Sequence, residues 1–227
     1  MKKSQSLDGF MYPARVKRLW SATASRTRRL TVILDGVHDP HNFSAVARSV
    51  EGFGLLDLHV IETHAPLRLS SKVTQGAEKW IDFHRYSEPG KCLEALEKSE
   101  FELWFADPGT QGRQVKNLPW EKKLALVFGN EHEGPSSAIR RGAAGSFRIP
   151  MHGFSQSLNI SVATGITLAI AAAEREKKLG SHGDLSESEC TELAAEWQRR
   201  SVRCADKIME RLRDDIFRED ENIEGTI

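Results

Sequence analysis

The sequence predicts an α/β fold built on a mostly parallel sheet with helices on both faces. Short runs rich in β-branched and aromatic residues alternate with segments whose apolar residues recur at helical spacing, and this alternation is typical of a doubly wound sheet. Two of the runs, 101–107 and 123–129, are apolar through their middles, as expected of parallel strands buried on both faces. With 227 residues, the chain is long enough for one medium domain with appended segments.

The elements of the first half of the chain are separated by typical helix start and stop residues. Asn42 is a favourable N-cap and Gly54 a favourable terminator, so a helix is expected between them. Pro89 stands near the start of another predicted helix, where its missing N–H costs nothing. The predicted strands are 31–36, 55–62 and 80–86, and the predicted helices are 42–53, a short one within 70–80, and 89–98.

The second half contains the two apolar strands and the longest predicted helix. After a glycine-containing break at 180–183, Ser186 and Glu189 have the spacing of a capping box, which predicts a helix start. Residues 187–218 are then expected to form one or two amphipathic helices and 220–227 to be frayed. The other predicted elements are helix 135–141, strand 146–151 and helix 159–178.

Charge is distributed unevenly along a chain whose net charge is zero. Residues 1–30 contain eight lysines and arginines against the single acid Asp8. Such an arm can contact the phosphates that dominate RNA affinity, although a solvated first helix would have the same composition. We therefore divide the chain into a basic arm (1–29), an α/β domain (30–179) and a helical extension (180–227).

Composition argues against several classes of protein. No apolar run approaches the roughly 18–20 residues that span a bilayer, and no apolar stretch follows the first lysines as in a secretory signal. Cys92, Cys190 and Cys204 are far apart and form no CxxC pair, which favours free thiols and a cytoplasmic location. The histidines at 38, 41, 132 and 152 fit no common ligand spacing, so no metal is expected.

The first candidate site is HDPHNFSAVAR (38–48), which directly follows a predicted strand. Open α/β sheets bind ligands at such positions. Arg48 lies six residues after Asn42, nearly two helical turns along and within roughly 120° of it. Its planar guanidinium suits a phosphate, although pairing with a carboxylate such as Glu51 is the alternative.

Two further candidates lie near the ends of later strands. In FGNEHEGP (128–135), Gly129 allows close approach of a ligand to the backbone, and Glu131 can orient an arginine or accept a ligand hydroxyl. In IPMHGFSQSLN (149–159), Ser157 and Asn159 are cap-type residues. That loop also carries Met151 and Phe154, so it could form an apolar slot for an adenine ring. The first strand lacks a GxGxxG turn, and no P-loop sequence is present.

Together, these segments resemble the motifs of the SPOUT superfamily of RNA methyltransferases. HDPHNFSAVARSVEGFG (38–54) is similar to its first motif, LVFGNEHEGP (126–135) to its second and FRIPMHGFSQSLNISVATGITLAIAAAER (147–175) to its third. With the arm and the tail, the resemblance extends over nearly the whole chain to the TrmH-type tRNA (guanosine-2′-O-)-methyltransferases. Phe43 and Phe154 replace an aliphatic residue of the family.

The resemblance implies a C-terminal trefoil knot, a homodimer with the active site at its interface, and S-adenosylmethionine as cofactor. The implied reaction is methylation of a ribose 2′-hydroxyl in tRNA, with guanosine 18 of the D-loop as the commonest target in the family. The implied catalytic residues are Arg48, Asn42, Glu131, Ser157 and Asn159. The implied cofactor-binding residues are Asp107, Gly129, Asn130, Ile149, Met151, Ser157, Leu158 and Asn159. The implied RNA-binding residues are Lys17, Arg18, Arg26, Arg28, Arg29, His41 and Arg175.

Three alternatives remain open. A related enzyme could methylate ribosomal RNA, although such relatives often carry an additional N-terminal RNA-binding domain. A catalytically silent RNA-binding protein could share the fold, although it would have no need to retain the catalytic set. A protein that binds a small nucleotide would be distinguished by a cofactor turnover that RNA does not change.

Overall fold

The computed structural model describes residues 7–62, 66–109 and 111–212, and the chain divides into two compact units. One unit is Arg26–Asp184, and the other combines residues 1–25 with 185–227. The division differs from the three expected regions, because the arm and the extension belong to one unit and the boundaries fall at 26 and 184. Lys2 and Lys3 of the arm, the end of the 187–218 helical region and the expected frayed end at 220–227 lie outside the described residues.

The larger unit is built on a seven-stranded sheet in which every pair of neighbouring strands is parallel. The strand order is β3-β2-β1-β6-β4-β7-β5, which confirms the predicted parallel α/β sheet. The short β5 was missed because two residues show no alternation that a sequence pattern could reveal. The strands are β1 (Leu30–Asp35), β2 (Asp57–Ile61), β3 (Asp82–Tyr86), β4 (Glu102–Ala106), β5 (Arg113–Gln114), β6 (Leu124–Gly129) and β7 (Gly145–Arg148).

Two apolar cores cover the two faces of this sheet, as the continuous apolar strands predicted. On one face, α2 (Pro40–Gly52) and α6 (Ile160–Leu179) pack on the sheet and on each other. On the other, α4 (Pro89–Lys98) and α5 (Ser137–Gly142) contribute Cys92, Leu96 and Ile139 to the second core. A short α3 (Ser71–Thr74) packs beside α2.

The helix in the first candidate site, α2, starts earlier than expected. Asp39, not Asn42, is the N-cap, and its carboxylate accepts a hydrogen bond of 2.9 Å from the His41 N–H. Pro40 follows at the first helical position, where proline is favoured, so the cap interpretation of Asn42 is wrong. The helix does stop at the expected glycine, because Gly54 has the positive φ of 78° that follows a helix end.

The smaller unit contains α1 (Pro13–Ala24) and α7 (Glu187–Ser201) packed against each other. Leu19 of α1 and Trp197 of α7 are buried. The predicted capping box is confirmed, since the Ser186 side chain accepts from the Glu189 N–H while the Glu189 carboxylate accepts from the Ser186 N–H. Residues 205–212 are also helical. None of the helices in the described part of the chain has the length and apolarity to cross a bilayer.

Candidate functional site

A cavity of about 440 Å³ opens where β4, β6 and β7 end, the edge at which parallel α/β sheets bind their ligands. Its walls come from the loops after these three strands and from the start of α6. The structure brings together every residue that the resemblance implied for the cofactor. The expected residues that line the cavity are Asp107, Gly129, Asn130, Ile149, Met151, Ser157, Leu158 and Asn159.

The lining combines apolar surface with a few polar groups. Phe128 and Phe147 meet edge to face, with their ring centroids 5.9 Å apart, and Ile149, Leu158 and Ala163 extend the apolar wall. Polar atoms come from the carboxylates, amides and backbone of the surrounding loops. A concave, mainly apolar wall with few polar groups is the usual form of a site for a small ligand with a ring.

The loop after β6 is held tightly against the next turn. A Cβ on Gly129 would lie 2.1 Å from the Pro135 nitrogen and 2.2 Å from the Gly134 carbonyl carbon, so only glycine fits. Asn130 fixes the same loop, because its Oδ1 accepts from the His132 N–H at 2.8 Å and its Nδ2 donates to the Gly36 carbonyl at 3.1 Å. The backbone of this cavity wall is therefore preorganised.

Two residues that support this wall were not found from the sequence. The buried Asp35 carboxylate at the end of β1 accepts from the Ser136 N–H at 2.6 Å. Arg140 donates through Nε to the Pro135 carbonyl at 2.9 Å and through Nη2 to the Glu133 carbonyl at 3.2 Å. Asp35 was detectable in principle, since a lone carboxylate at the carboxyl end of an apolar strand requires a partner.

A chain of side-chain hydrogen bonds joins three elements beside the cavity. The Asn42 amide donates to the Glu131 carboxylate at 2.9 Å and accepts from the Asn159 amide at 3.0 Å. Asn159 also caps α6 as predicted, because its Oδ1 accepts from the Ser161 N–H at 2.9 Å. We call Asn42, Glu131 and Asn159 the amide bridge. The bridge couples the start of α2, the β6 loop and the start of α6.

Within one chain, Arg48 lies apart from the other four expected catalytic residues. It is exposed on α2, nearly two turns beyond Asn42, and its Nη1 is 3.5 Å from the Val73 carbonyl. It is not among the residues that line the cavity, whereas Glu131, Ser157 and Asn159 are. One chain therefore supplies the cavity and the bridge but places the guanidinium outside them.

Two of the residues expected to bind RNA are instead enclosed in the protein. Arg175 is only 1% exposed, and it donates to the Asp184 carboxylate at 2.7 Å and to the Trp120 carbonyl at 3.1 Å. Arg26 is buried and donates to the Glu51 carboxylate at 2.5 Å. Their guanidinium groups hold the fold together, so the expectation that they contact phosphates is wrong.

The other expected RNA-binding residues are exposed. Arg28 lies 3.4 Å from the Asp57 carboxylate, and Arg29 donates to the Glu121 carbonyl at 3.2 Å. Both long side chains remain accessible to solvent despite these contacts. Exposed cations are available to phosphates, as the expectation requires. The remaining members of the set, Lys17, Arg18 and His41, are exposed as well.

A titratable cluster on β2 and β3 lies apart from the cavity. The His59 and His84 rings stack with centroids 4.6 Å apart, and His84 contacts the Asp57 carboxylate at 2.8 Å. Burial lowers the pKa of His59 to about 4, and the neighbouring His84 charge adds to the decrease. The hydrogen bond to Asp57 raises the pKa of His84. Among the described residues, no group of three or more His, Cys, Asp or Glu is arranged to hold a metal ion.

Comparison with known proteins identifies the family. The model of the SpoU rRNA methylase family matches residues 29–169, more than half of the chain. The chain belongs to this family. One SpoU relative, the tRNA (guanosine(18)-2′-O)-methyltransferase of Aquifex aeolicus, is 34% identical over 188 residues, which are 81% of this chain and 88% of that protein.

Two solved structures agree with this assignment. The TrmH/SpoU tRNA modifying enzyme of A. aeolicus matches at a TM-score of 0.75 and 32% identity, covering 84% of this chain and 98% of that one. The AdoMet-bound rRNA methyltransferase from Sinorhizobium meliloti matches at a TM-score of 0.59 and 25% identity, covering 68% and 59% of the two chains. The predicted SpoU-type architecture is thereby confirmed, while the trefoil knot stays a prediction.

Proposed function

We propose that the protein transfers a methyl group from S-adenosylmethionine to a ribose 2′-hydroxyl of tRNA, with guanosine 18 of the D-loop as the target. The observation that carries the proposal is the cavity at the end of β6, with the amide bridge beside it. The relative from A. aeolicus, named for this reaction, aligns with most of the chain. The composition of the chain fits a cytoplasmic enzyme.

The cavity fits the proposed cofactor in size and chemistry. Its volume of about 440 Å³ lies within the range of roughly 300–1,000 Å³ that is usual for ligand sites. The apolar wall around Ile149 and Leu158 suits an adenine ring, and Gly129 lets the loop after β6 pack tightly where it lines the cavity. Asp107 and Asn130 supply polar groups for hydroxyl and amino functions. When bound there, the cofactor supplies a sulfonium-activated methyl group.

The protein must then place a ribose 2′-oxygen and help it lose its proton. Arg48 is poorly suited to act as a base, because a guanidinium group does not release its proton readily. We assign it to the adjacent RNA phosphate and to stabilising the developing alkoxide, with that phosphate or a water molecule accepting the proton. Asn42, Glu131, Ser157 and Asn159 hold the ribose and the cavity wall in register.

The position of Arg48 outside the cavity supports a homodimer in which it completes the partner's site. An exposed apolar stripe on α6 suits such an interface, because its members are spaced at helical intervals on one face. Phe154, beside the cavity, is fully exposed and would be covered by the same contact. The exposed residues of the stripe are Val162, Ile166, Ala169 and Ala173.

Methylation of an unmodified tRNA transcript with labelled S-adenosylmethionine tests the proposal, followed by mapping of the modified ribose. Label at guanosine 18 is expected, and a 23S rRNA fragment in a parallel reaction tests the ribosomal alternative. Arg48→Ala should abolish transfer and leave cofactor affinity, measured by calorimetry, within a few-fold of the wild type. Arg141→Ala, at an exposed arginine of α5, is the matched control and should retain activity.

Three results would contradict the proposal. Normal transfer by Arg48→Ala would exclude the role of this arginine. RNA binding by the wild type without any transfer would favour a catalytically silent binding protein. A monomer by sedimentation, active at all concentrations, would exclude the shared site.

A further inference from the structure

Two aromatic side chains stand exposed where the chain enters α1. Tyr12, the N-cap, is 84% exposed, and Phe10 is 53% exposed. A single exposed apolar residue is normal on a protein surface and requires no explanation. Two large rings separated by one residue are less easily explained, since each loses favourable burial.

The segment that carries the two rings is anchored. The buried Leu7 donates its N–H to the Gln198 side chain at 3.1 Å, and the Gln198 amide donates to the Asp8 carboxylate at 2.5 Å. The Phe10 N–H donates to the Leu7 carbonyl at 3.0 Å, forming a short 3-10 turn. The rings are therefore presented from an ordered backbone, so a ligand would not have to order a flexible tail to contact them.

The helix that follows the rings is basic. Arg15, Lys17 and Arg18 are exposed, and no acidic residue occurs between Pro13 and Ala24. Arg15 and Arg18 are three residues apart, so they project from neighbouring positions on the helix surface. The chain as a whole has no net charge, so this surface is a local concentration of cations.

We propose that Phe10, Tyr12, Arg15 and Arg18 form a stacking surface for unpaired nucleotides of the RNA substrate. The proposal rests on the RNA substrate of the proposed function and adds the part of the RNA that is bound. Exposed aromatic rings stack on bases that are free of pairing, and arginines contact the flanking phosphates. A stem offers this surface only phosphates and 2′-hydroxyls, because its bases are stacked on each other. The flank of the rings is purely cationic, because no acidic residue occurs from Pro13 to Ala24, and this charge is complementary to the phosphates of RNA.

Binding of two labelled RNAs by the full-length protein tests this surface. One RNA is a hairpin with an unpaired loop, and the other is a blunt duplex with the same number of phosphates. For Tyr12→Ala, and more strongly for Phe10→Ala/Tyr12→Ala, we expect a loss of hairpin affinity of roughly tenfold or more. Duplex affinity should stay within about twofold, because no phosphate contact is lost.

Three controls separate stacking from other causes. Tyr12→Trp keeps a large ring and should restore hairpin affinity. Leu179→Ala removes an exposed apolar side chain elsewhere and should leave both affinities unchanged. Arg15→Gln/Arg18→Gln should weaken the binding of both RNAs and make their affinity less dependent on salt. The aromatic variants should keep the wild-type dependence of affinity on salt. Circular dichroism of each variant verifies the fold.

The outcomes distinguish this proposal from the proposed function. Equal losses for hairpin and duplex would overturn stacking, and so would unchanged hairpin affinity in the double aromatic variant. Dissociation of a dimer by Tyr12→Ala, with RNA affinity intact, would assign the rings to a second copy of the chain. If the wild type methylates no RNA, the proposed function fails. If it methylates RNA while the aromatic variants bind the hairpin normally, only the stacking surface fails.

Discussion

Removal of the Asp184 carboxylate should destabilise the protein strongly, because the buried Arg175 guanidinium would lose its counter-charge. Arg175 is 1% exposed, and after Asp184→Ala its Nη groups would keep only the Trp120 carbonyl and the Thr27 hydroxyl. Breaking a buried pair from one side typically costs about 3–5 kcal/mol. Asp184 also accepts from the Arg28 N–H at 3.1 Å, so the upper part of that range is expected.

Removing the Arg175 cation instead should cost less stability. Arg175→Met keeps much of the aliphatic length, and the remaining Asp184 carboxylate keeps the Thr27 and Arg28 donors and some access to water. We expect a loss of about 1–2 kcal/mol, in the range of a few hydrogen bonds. The double variant should resemble Arg175→Met, so the coupling energy equals the cost of Asp184→Ala, about 4–5 kcal/mol.

Urea unfolding followed by tryptophan fluorescence and circular dichroism measures this cycle. The slope of the free energy of unfolding against urea should be the same in all four proteins, so that midpoints report stability. Additive effects of the two substitutions, within about 0.5 kcal/mol, would refute the buried-pair interpretation. Arg175→Met should also leave the salt dependence of RNA binding unchanged, because the side chain is enclosed; a shallower slope would reinstate its role as a phosphate contact.

Three further substitutions test other parts of the structure. Gly129→Ala should abolish cofactor binding in calorimetry and lower the melting temperature, because the Cβ would meet the Pro135 nitrogen at 2.1 Å; wild-type behaviour would contradict the tight turn. Asn42→Asp should reduce kcat at neutral pH, because it sets a carboxylate against Glu131, and equal activity from pH 5 to 8 would be inconsistent with the amide bridge. His59→Asn should reduce the loss of stability at acid pH. The pKa of about 4 keeps His59 neutral in the folded protein, whereas the unfolded chain takes up a proton below about pH 6.5. This difference lowers the free energy of unfolding by about 3 kcal/mol by pH 4. Identical urea midpoints against pH for variant and wild type would exclude this assignment.

Local patterns predicted much of the fold. The buried strands were recognisable because both faces demand apolar residues, and the capping box at Ser186 has a fixed spacing. The start of α2 was misplaced although the signal was present. Asp39 precedes a proline that fits the first helical turn, whereas Asn42 is also a cap-type residue ahead of the apolar face of the helix.

Long-range pairing could not be predicted from these patterns. Arg26 and Arg175 look like surface cations in the sequence, because their partners Glu51 and Asp184 become neighbours only in the folded unit. The residues that the resemblance implied for the cofactor do line one cavity, and their role in cofactor binding stays a prediction. Arg48 and Asn42 belong to the same motif, but their six-residue spacing separates their side chains by nearly two helical turns.

The smaller unit has a consequence for the order of events during synthesis. It is made from the two ends of the chain, 1–25 and 185–227, while the larger unit lies between them. The Asp184 N–H donates to the Arg26 carbonyl at 3.0 Å, so the two ends of the larger unit are hydrogen-bonded to each other. All residues of that unit are synthesised before residues 185–227. Because nascent domains fold as they emerge, the larger unit can fold first. Leu19 of α1 stays exposed until α7 has been synthesised and can pack against it. The proposed RNA surface at the start of α1 would then mature only after α7 has been synthesised.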